Sequence, residues 1–164
     1  MVPDFQTLLR TVRQRTPDWK PPKTLLCLDP GETTGWATFK EGALYSDGHL
    51  NTKDGDVVAS LLLMVQGIQP NVVVMENYKI YGWKTEEHSW SALHTPKLIG
   101  AIDAICSIQG VPVHYQMAAM AKNFCTNDKL KTWGMYSASK RHAMDAIRHG
   151  CYWLLFSKLG GLRC

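Results

Sequence analysis

Three carboxylates stand where three apolar segments of this chain end. They are Asp29 in Leu25-Leu26-Cys27-Leu28-Asp29-Pro30-Gly31, Glu76 in Val72-Val73-Val74-Met75-Glu76, and Asp145 in His142-Ala143-Met144-Asp145. An ionised carboxylate taken out of water is costly unless it is paired. If the three converge, the partner that suits them is a hard divalent cation, which takes oxygen ligands. Convergence needs strand ends and a helix face that meet at one place.

The elements that could do this are legible in the pattern of apolar residues. Residues 4 to 15 place Phe5, Leu8, Leu9 and Val12 on one helical face with arginines opposite, which reads as an N-terminal helix. Thr16-Pro17 and Pro21-Pro22 interrupt helix, so residues 1–22 read as a helical appendage and Pro-rich linker, with the main domain over 23–164. Leu25 to Leu28 is a continuous apolar run, the mark of a strand buried on both faces, and it ends at Asp29. Gly35 to Phe39 and Gly42 to Leu50, separated by Lys40-Glu41, read as a hairpin that continues antiparallel from the first strand. Residues 56 to 66 carry Val57, Val58, Leu61, Leu62 and Val65 at helical spacing, with Gly67 and Pro70 as terminators.

Val72 to Met75 predicts a fourth strand, parallel to the first and beside it, with Glu76 at its exit. After a loop holding Tyr78, Tyr81 and Trp83, Glu86 to Gln109 has helical period, with Pro96 as a start or kink. Val111 to Tyr115 reads as a short fifth strand, residues 116 to 134 as a loop or small helix, and Ser137 to about Phe156 as a helix. The expected fold class is α/β: a mixed five-stranded sheet, three antiparallel strands followed by parallel ones, flanked by helices. In such sheets ligands gather at strand ends, which places Asp29 beside Glu76. His142, Asp145 and His149 follow at i, i+3 and i+7, on one helix face that can close over those ends.

Composition narrows the classes. The chain has 164 residues, 45% of them hydrophobic, which suits one domain with a sizeable core and leaves no tract fit to span a membrane. Arg10, Arg13 and Arg15 break up any signal-peptide core, and five cysteines without a Cys-x-x-Cys pair indicate neither a disulfide framework nor a zinc site. A reducing cytoplasm is the expected setting. The formal charge of +4 is compatible with a polyanionic partner.

Asp29-Pro30-Gly31 followed by Thr34-Gly35-Trp36, then Glu76 closing an apolar strand, then His142-x-x-Asp145-Ala146, resembles the RuvC family of Holliday junction resolvases within the ribonuclease H-like fold. The run Arg141-His142-Ala143-Met144-Asp145-Ala146-Ile147-Arg148-His149 is similar to bacteriophage members in particular. The resemblance spans Lys23 to Phe156 and takes in the order of the elements. It implies a homodimeric endonuclease that cuts branched DNA with two magnesium ions per active site, manganese substituting, in the cytoplasm of a bacterial host if the source is viral. By that likeness Asp29 binds or bridges both metals, Glu76 binds one and Asp145 the other. His142 stands where many members carry a further aspartate. It would offer a neutral nitrogen ligand that manganese accepts more readily than magnesium, or act as an acid toward the leaving oxygen.

Gly31 would relieve crowding beside Asp29, and Thr33 or Thr34 could donate to a phosphate, although turn chemistry accounts for them equally. Lys122, Lys129, Lys131, Lys140, Arg141 and Arg148 are candidates to neutralise phosphates, and Tyr78, Tyr81 and Trp83 to stack on unpaired bases. Two other readings of the same residues are a ribonuclease H-like nuclease acting on RNA or an RNA–DNA hybrid, and a catalytically silent DNA-binding module. The Asp-Pro-Gly-x-Thr-Thr turn is also similar to the phosphate loop of actin-like ATPases, but the chain lacks the second half of that nucleotide cleft.

Overall fold

A computed structural model describes residues 2–52, 56–77 and 94–158. In chain order the elements are α1 (Phe5–Arg15), β1 (Thr24–Asp29), β2 (Thr33–Lys40), β3 (Ala43–Asn51), α2 (Val57–Ile68), β4 (Val72–Glu76), α3 (His94–Ile108), β5 (Val113–Gln116), α4 (Ala118–Phe124), α5 (Asn127–Thr132) and α6 (Arg141–Phe156). One five-stranded sheet runs β3-β2-β1-β4-β5. β1, β2 and β3 are antiparallel, whereas β1, β4 and β5 are parallel.

The unbroken apolar runs of β1 and β4 follow from burial on both faces. Leu25, Cys27, Val72 and Val74 point into a cluster with α6, and Leu26, Leu28, Val73 and Met75 into a second cluster with α2 and α3. Side chains alternate across a strand, so a strand with helices on both sides must be apolar at every position.

Several expected boundaries move. The hairpin turn is Glu41-Gly42, both with positive φ (51° and 88°), one residue later than the Lys40-Glu41 expected, because glycine tolerates that backbone best. α2 runs through Gly67 and is ended by Gln69 in the left-handed conformation followed by Pro70. β5 begins at Val113 because its parallel register with β4 pairs Val73 with Val113, and it extends to Gln116. Residues 116 to 134 hold two short helices, too brief to show a period, and α6 begins at Arg141 rather than Ser137. The expected helix start at Glu86 lies outside the described residues.

The segment 1–22, expected as an appendage, shares the core of the domain. Phe5, Leu9, Val12 and Trp19 belong to the same buried cluster as Leu25, Phe39, Ile147 and Leu154. Asp4 caps α1 by accepting from the Thr7 backbone N–H at 2.9 Å. Trp133 Nε1 donates to the Pro3 carbonyl at 3.0 Å, and Gln6 Nε2 to the Gly42 carbonyl at 3.2 Å, which ties down the start of the helix.

α6 docks on the sheet through glycine. A Cβ on Gly35 would lie 1.9 Å from the carbonyl oxygen of His142, and one on Gly150 2.2 Å from Phe39 Cε2. At Gly31 the nearest such atom, Thr33 O, is at an ordinary 3.6 Å. The crowded glycine beside the carboxylates is therefore Gly35, which pairs with Asp29, and Gly31 relieves no crowding. We expect Gly35→Ala to cost about 2 kcal/mol, some 5 °C in Tm, and Gly31→Ala to be nearly neutral. Thermal melts of the two variants side by side check this.

Candidate active site

One row of residues crosses the end of the sheet. Gly35 pairs with Asp29 between β2 and β1, and Glu76 pairs with Gln116 between β4 and β5. The parallel register of Leu28 with Met75 puts Asp29 beside Glu76 in the next position. α6 lies across this row, with the His142 backbone on Gly35, and carries Asp145 one turn further on.

The three expected carboxylates share one electrostatic site. Burial pushes the Asp29 carboxyl up to about 8, aided by the charges of Glu76 and Asp145 and a hydrogen bond to Glu76, with Lys122 opposing. For Glu76 burial also resists ionisation. It is outweighed by the hydrogen bond and charge of His149, the hydrogen bond from Asp29 and the charge of Lys122, which together hold Glu76 below its usual value. The pair therefore keeps a proton on Asp29, which donates it to ionised Glu76.

Lys122 reaches in from α4, its Nζ 3.1 Å from Asp145 Oδ2. Burial works against its charge, but Asp145, Glu76 and Asp29 raise its pKa above the ordinary lysine value. Arg148 NH1 binds Asp145 Oδ1, its Nε donates to the Cys125 carbonyl at 3.0 Å, and NH2 donates to Asn127 Oδ1. Asp145 is thus turned toward two cations, and among the described residues no group of three or more His, Cys, Asp or Glu side chains is closed into a metal-ligand cluster. Divalent cations nonetheless suit this donor set. Two half-buried carboxyls close enough to share a hydrogen bond, and a third paired with Lys122 and Arg148, make an oxygen-rich set of the kind hard cations take.

His142 lies on the first turn of α6 and is exposed. His149, which the sequence offers only as another polar position on that face, is fully buried. Its Nε2 stands 3.4 Å from Glu76 Oε2, and its Nδ1 stands 2.9 Å from Oε1 of buried Gln116. Gln116 carries no signal in sequence, because only strand register places it beside Glu76. Thr34 is buried and spends its hydroxyl on Gly31 and Thr52, so it braces the turn after Asp29 rather than facing outward.

The candidate phosphate contacts divide. Lys122 and Arg148 belong to the carboxylate site. Lys129 lies over the Phe124 ring at 3.7 Å, Lys131 pairs with Asp128 at 3.7 Å, Lys140 pairs with Asp47 at 3.0 Å, and Arg141 is exposed. Tyr78, Tyr81 and Trp83 lie outside the described residues. Asn127, Tyr136, Ser137, Arg141 and Arg148 line an open hollow of about 320 Å³ against Asp145.

A raised carboxyl pKa fixes the sign of a pH effect. Asp29 binds its proton more tightly folded than at its ordinary value of 3.8, so the stability it contributes is fully present below 3.8 and is lost as pH rises through about 8. In chelator we expect Tm to drop by about 5 °C between pH 5 and pH 9 on this account, discounted for partial exposure, and divalent cation to restore it. Melts across that range, with and without cation, check the sign.

The sheet order and flanking helices define a ribonuclease H-like fold. Solved structures agree: the chain is similar to Thermus thermophilus RuvC in complex with a Holliday junction substrate, at 17% identity and TM-score 0.66, covering 84% of this chain and 96% of that one. It is also similar to the fowlpox virus Holliday junction resolvase, at 14% identity and TM-score 0.53, covering 80% and 96%. For the yeast mitochondrial Holliday junction resolvase the figures are 12% and 0.50, covering 93% and 92%. No family model matches the sequence, and no curated protein matches it. The chain has the fold of the RuvC-type Holliday junction resolvases.

Proposed function

We propose that this chain is a divalent-cation-dependent endonuclease that hydrolyses phosphodiesters of branched DNA, with the four-way junction as its substrate. The observation that carries this reading is the meeting of Asp29, Glu76 and Asp145 at one end of a sheet whose fold is that of junction resolvases. Asp29, Glu76 and Asp145, with His142 as a fourth, would hold two magnesium ions, manganese substituting. Bound cations of this kind activate water and stabilise the leaving oxygen of a phosphodiester.

The chain's own groups divide the remaining work. Glu76 is already ionised and directed by His149, whereas Asp29 must give up its proton before it can serve as a ligand. Arg148 is tied at three points and keeps Asp145 in place. Among the described residues Lys122 is ion-paired with Asp145 alone, so it can leave Asp145 for a phosphate oxygen. Exposed Arg141 lines the hollow beside Asp145 and would follow the DNA backbone, as would Lys129 and Lys131 on α5 and Lys140 near the start of α6. Tyr78, Tyr81 and Trp83 are proposed to stack on unpaired bases at the branch. Two opposed strands need two related sites, which a homodimer supplies, and the proposed setting is the cytoplasm of the host cell.

The test is incubation of the purified chain with labelled four-way, forked, linear and RNA–DNA hybrid substrates in magnesium, manganese or chelator. Paired symmetrical nicks in the junction, absent in chelator, are expected, and preferential cutting of the hybrid would overturn the substrate. Light scattering on the junction complex should show two copies of the 18.4 kDa chain. His142→Asp should shift the preference from manganese toward magnesium, and an unchanged metal profile would remove His142 from the ligand set.

A further inference from the structure

Glu76 has one more rotatable side-chain bond than Asp29 or Asp145, and so more room to swing. It terminates a strand, and its side chain keeps 26% of its exposure. His149 stops it. The ring is fully buried on α6 and bridges the ends of two strands, with Nδ1 2.9 Å from Gln116 Oε1 on β5 and Nε2 3.4 Å from Glu76 Oε2 on β4. Gln116 is also buried, and its amide nitrogen has no partner among the described residues.

We propose that Gln116 and His149 form a positioning pair for Glu76, keeping an N–H on His149 Nε2 toward one carboxylate oxygen so that the other is presented to a cation. This rests on the nuclease reading above. An ionised carboxylate only accepts, so the contact with Glu76 requires the ring proton on Nε2. If Gln116 turns its oxygen to the ring, Nδ1 also carries a proton and the ring donates at both ends. If the amide is reversed, its nitrogen donates to Nδ1, and a neutral ring still keeps its proton on Nε2. Both arrangements deliver the same donor to Glu76, so the role does not depend on the charge of the ring. The second arrangement gives the Gln116 amide nitrogen a partner and leaves its oxygen, a less demanding acceptor, in the unpartnered position. Partners of this kind, which orient a ligand without touching the metal, typically change metal affinity 10- to 100-fold.

The experiment titrates manganese into the full chain without DNA, following free Mn²⁺ by electron paramagnetic resonance, for wild type, His149→Leu, His149→Gln and Gln116→Leu. His149→Leu should weaken Mn²⁺ binding about 10- to 100-fold, Gln116→Leu by about 3- to 10-fold, and His149→Gln, which retains a donor, should recover most of the loss. In junction cleavage the same variants should need more metal for half-maximal rate yet regain most of the rate at saturation. A packing role alone would not produce that. If His149→Leu does not fold, Gln116→Leu and His149→Gln carry the comparison.

Equal Mn²⁺ affinity across the folded variants, or no Mn²⁺ binding by wild type, overturns the proposal. Wild-type protein that cuts junctions while its variants bind Mn²⁺ equally well sinks the positioning pair and leaves the nuclease reading standing. Mn²⁺ binding that depends on His149 in a protein that cuts no branched DNA does the reverse.

Discussion

Asp29→Asn is expected to lower junction cleavage by at least about a thousandfold while raising the stability of the cation-free protein at pH 8. The loss of rate follows because an amide supplies one weak oxygen where the proposed site would need an anionic ligand for its cations. The gain in stability follows from the carboxylate row. Asp29 is pushed up to about 8 by burial and by its acidic neighbours, so near and above that pH the folded protein carries a repulsive charge that asparagine removes. Asparagine can still donate to Glu76, so the shared hydrogen bond survives. The same substitution should flatten the pH dependence of Tm in chelator and abolish the rescue by magnesium. Cleavage of a labelled four-way junction and paired melts at pH 5 and 9 measure both sides. Loss of rate accompanied by loss of stability would point to a folding defect instead.

Arg148→Ala should destabilise the fold by about 3 kcal/mol, near 10 °C in Tm, the largest loss among the charged residues of the site. Its guanidinium binds Asp145, Asn127 and the Cys125 carbonyl at once, and its side chain is only 14% exposed. Removal leaves Asp145 and a backbone carbonyl short of donors and unties α4 and α5 from α6. Arg148→Lys should recover little, because an ammonium cannot reproduce the three-way fork. Lys122→Ala provides the contrast. That lysine is about half exposed and anchored to one carboxylate, so its loss should hardly move Tm while lowering cleavage on the order of a hundredfold. Denaturant melts and single-turnover rates for the three variants separate the two roles, and equal Tm losses for Arg148→Ala and Lys122→Ala would contradict the division.

What could be read from sequence follows the physics of burial. β1 and β4 sit between helices on both faces, so each is written as an apolar run stopped by its carboxylate, and Asp29 and Glu76 are visible without coordinates. Asp145 is visible as a helix-face position beside His142. Gln116 was hidden, and His149 was visible on the right helix face but not as a partner of Glu76, for different reasons. The first acquires its neighbour through hydrogen-bond register between strands 40 residues apart in sequence, as the pairing of Glu76 with Gln116 shows. His149 looks like any polar residue on a helix until the helix is docked. α4 and α5, at seven and six residues, are too short for periodicity to reveal them. Gly35 is essential for a contact with the backbone of α6, and no local signal distinguishes it from a turn glycine such as Gly31.

The proline-rich stretch before Lys23 looks like the natural place to shorten this protein. The packing of α1 says otherwise. Phe5, Leu9 and Val12 fill the same cluster as Ile147 and Leu154 of the helix that bears Asp145 and His149, and Trp133 grips the chain at Pro3. A version beginning at Lys23 would uncover that apolar face and slacken the back of α6, and each of the three lost side chains forfeits roughly 1.5–3 kcal/mol of burial. Anyone trimming the chain for crystals or for fusion to another protein would be cutting into the buttress of the helix that bears Asp145, with some of the residues farthest from it in sequence.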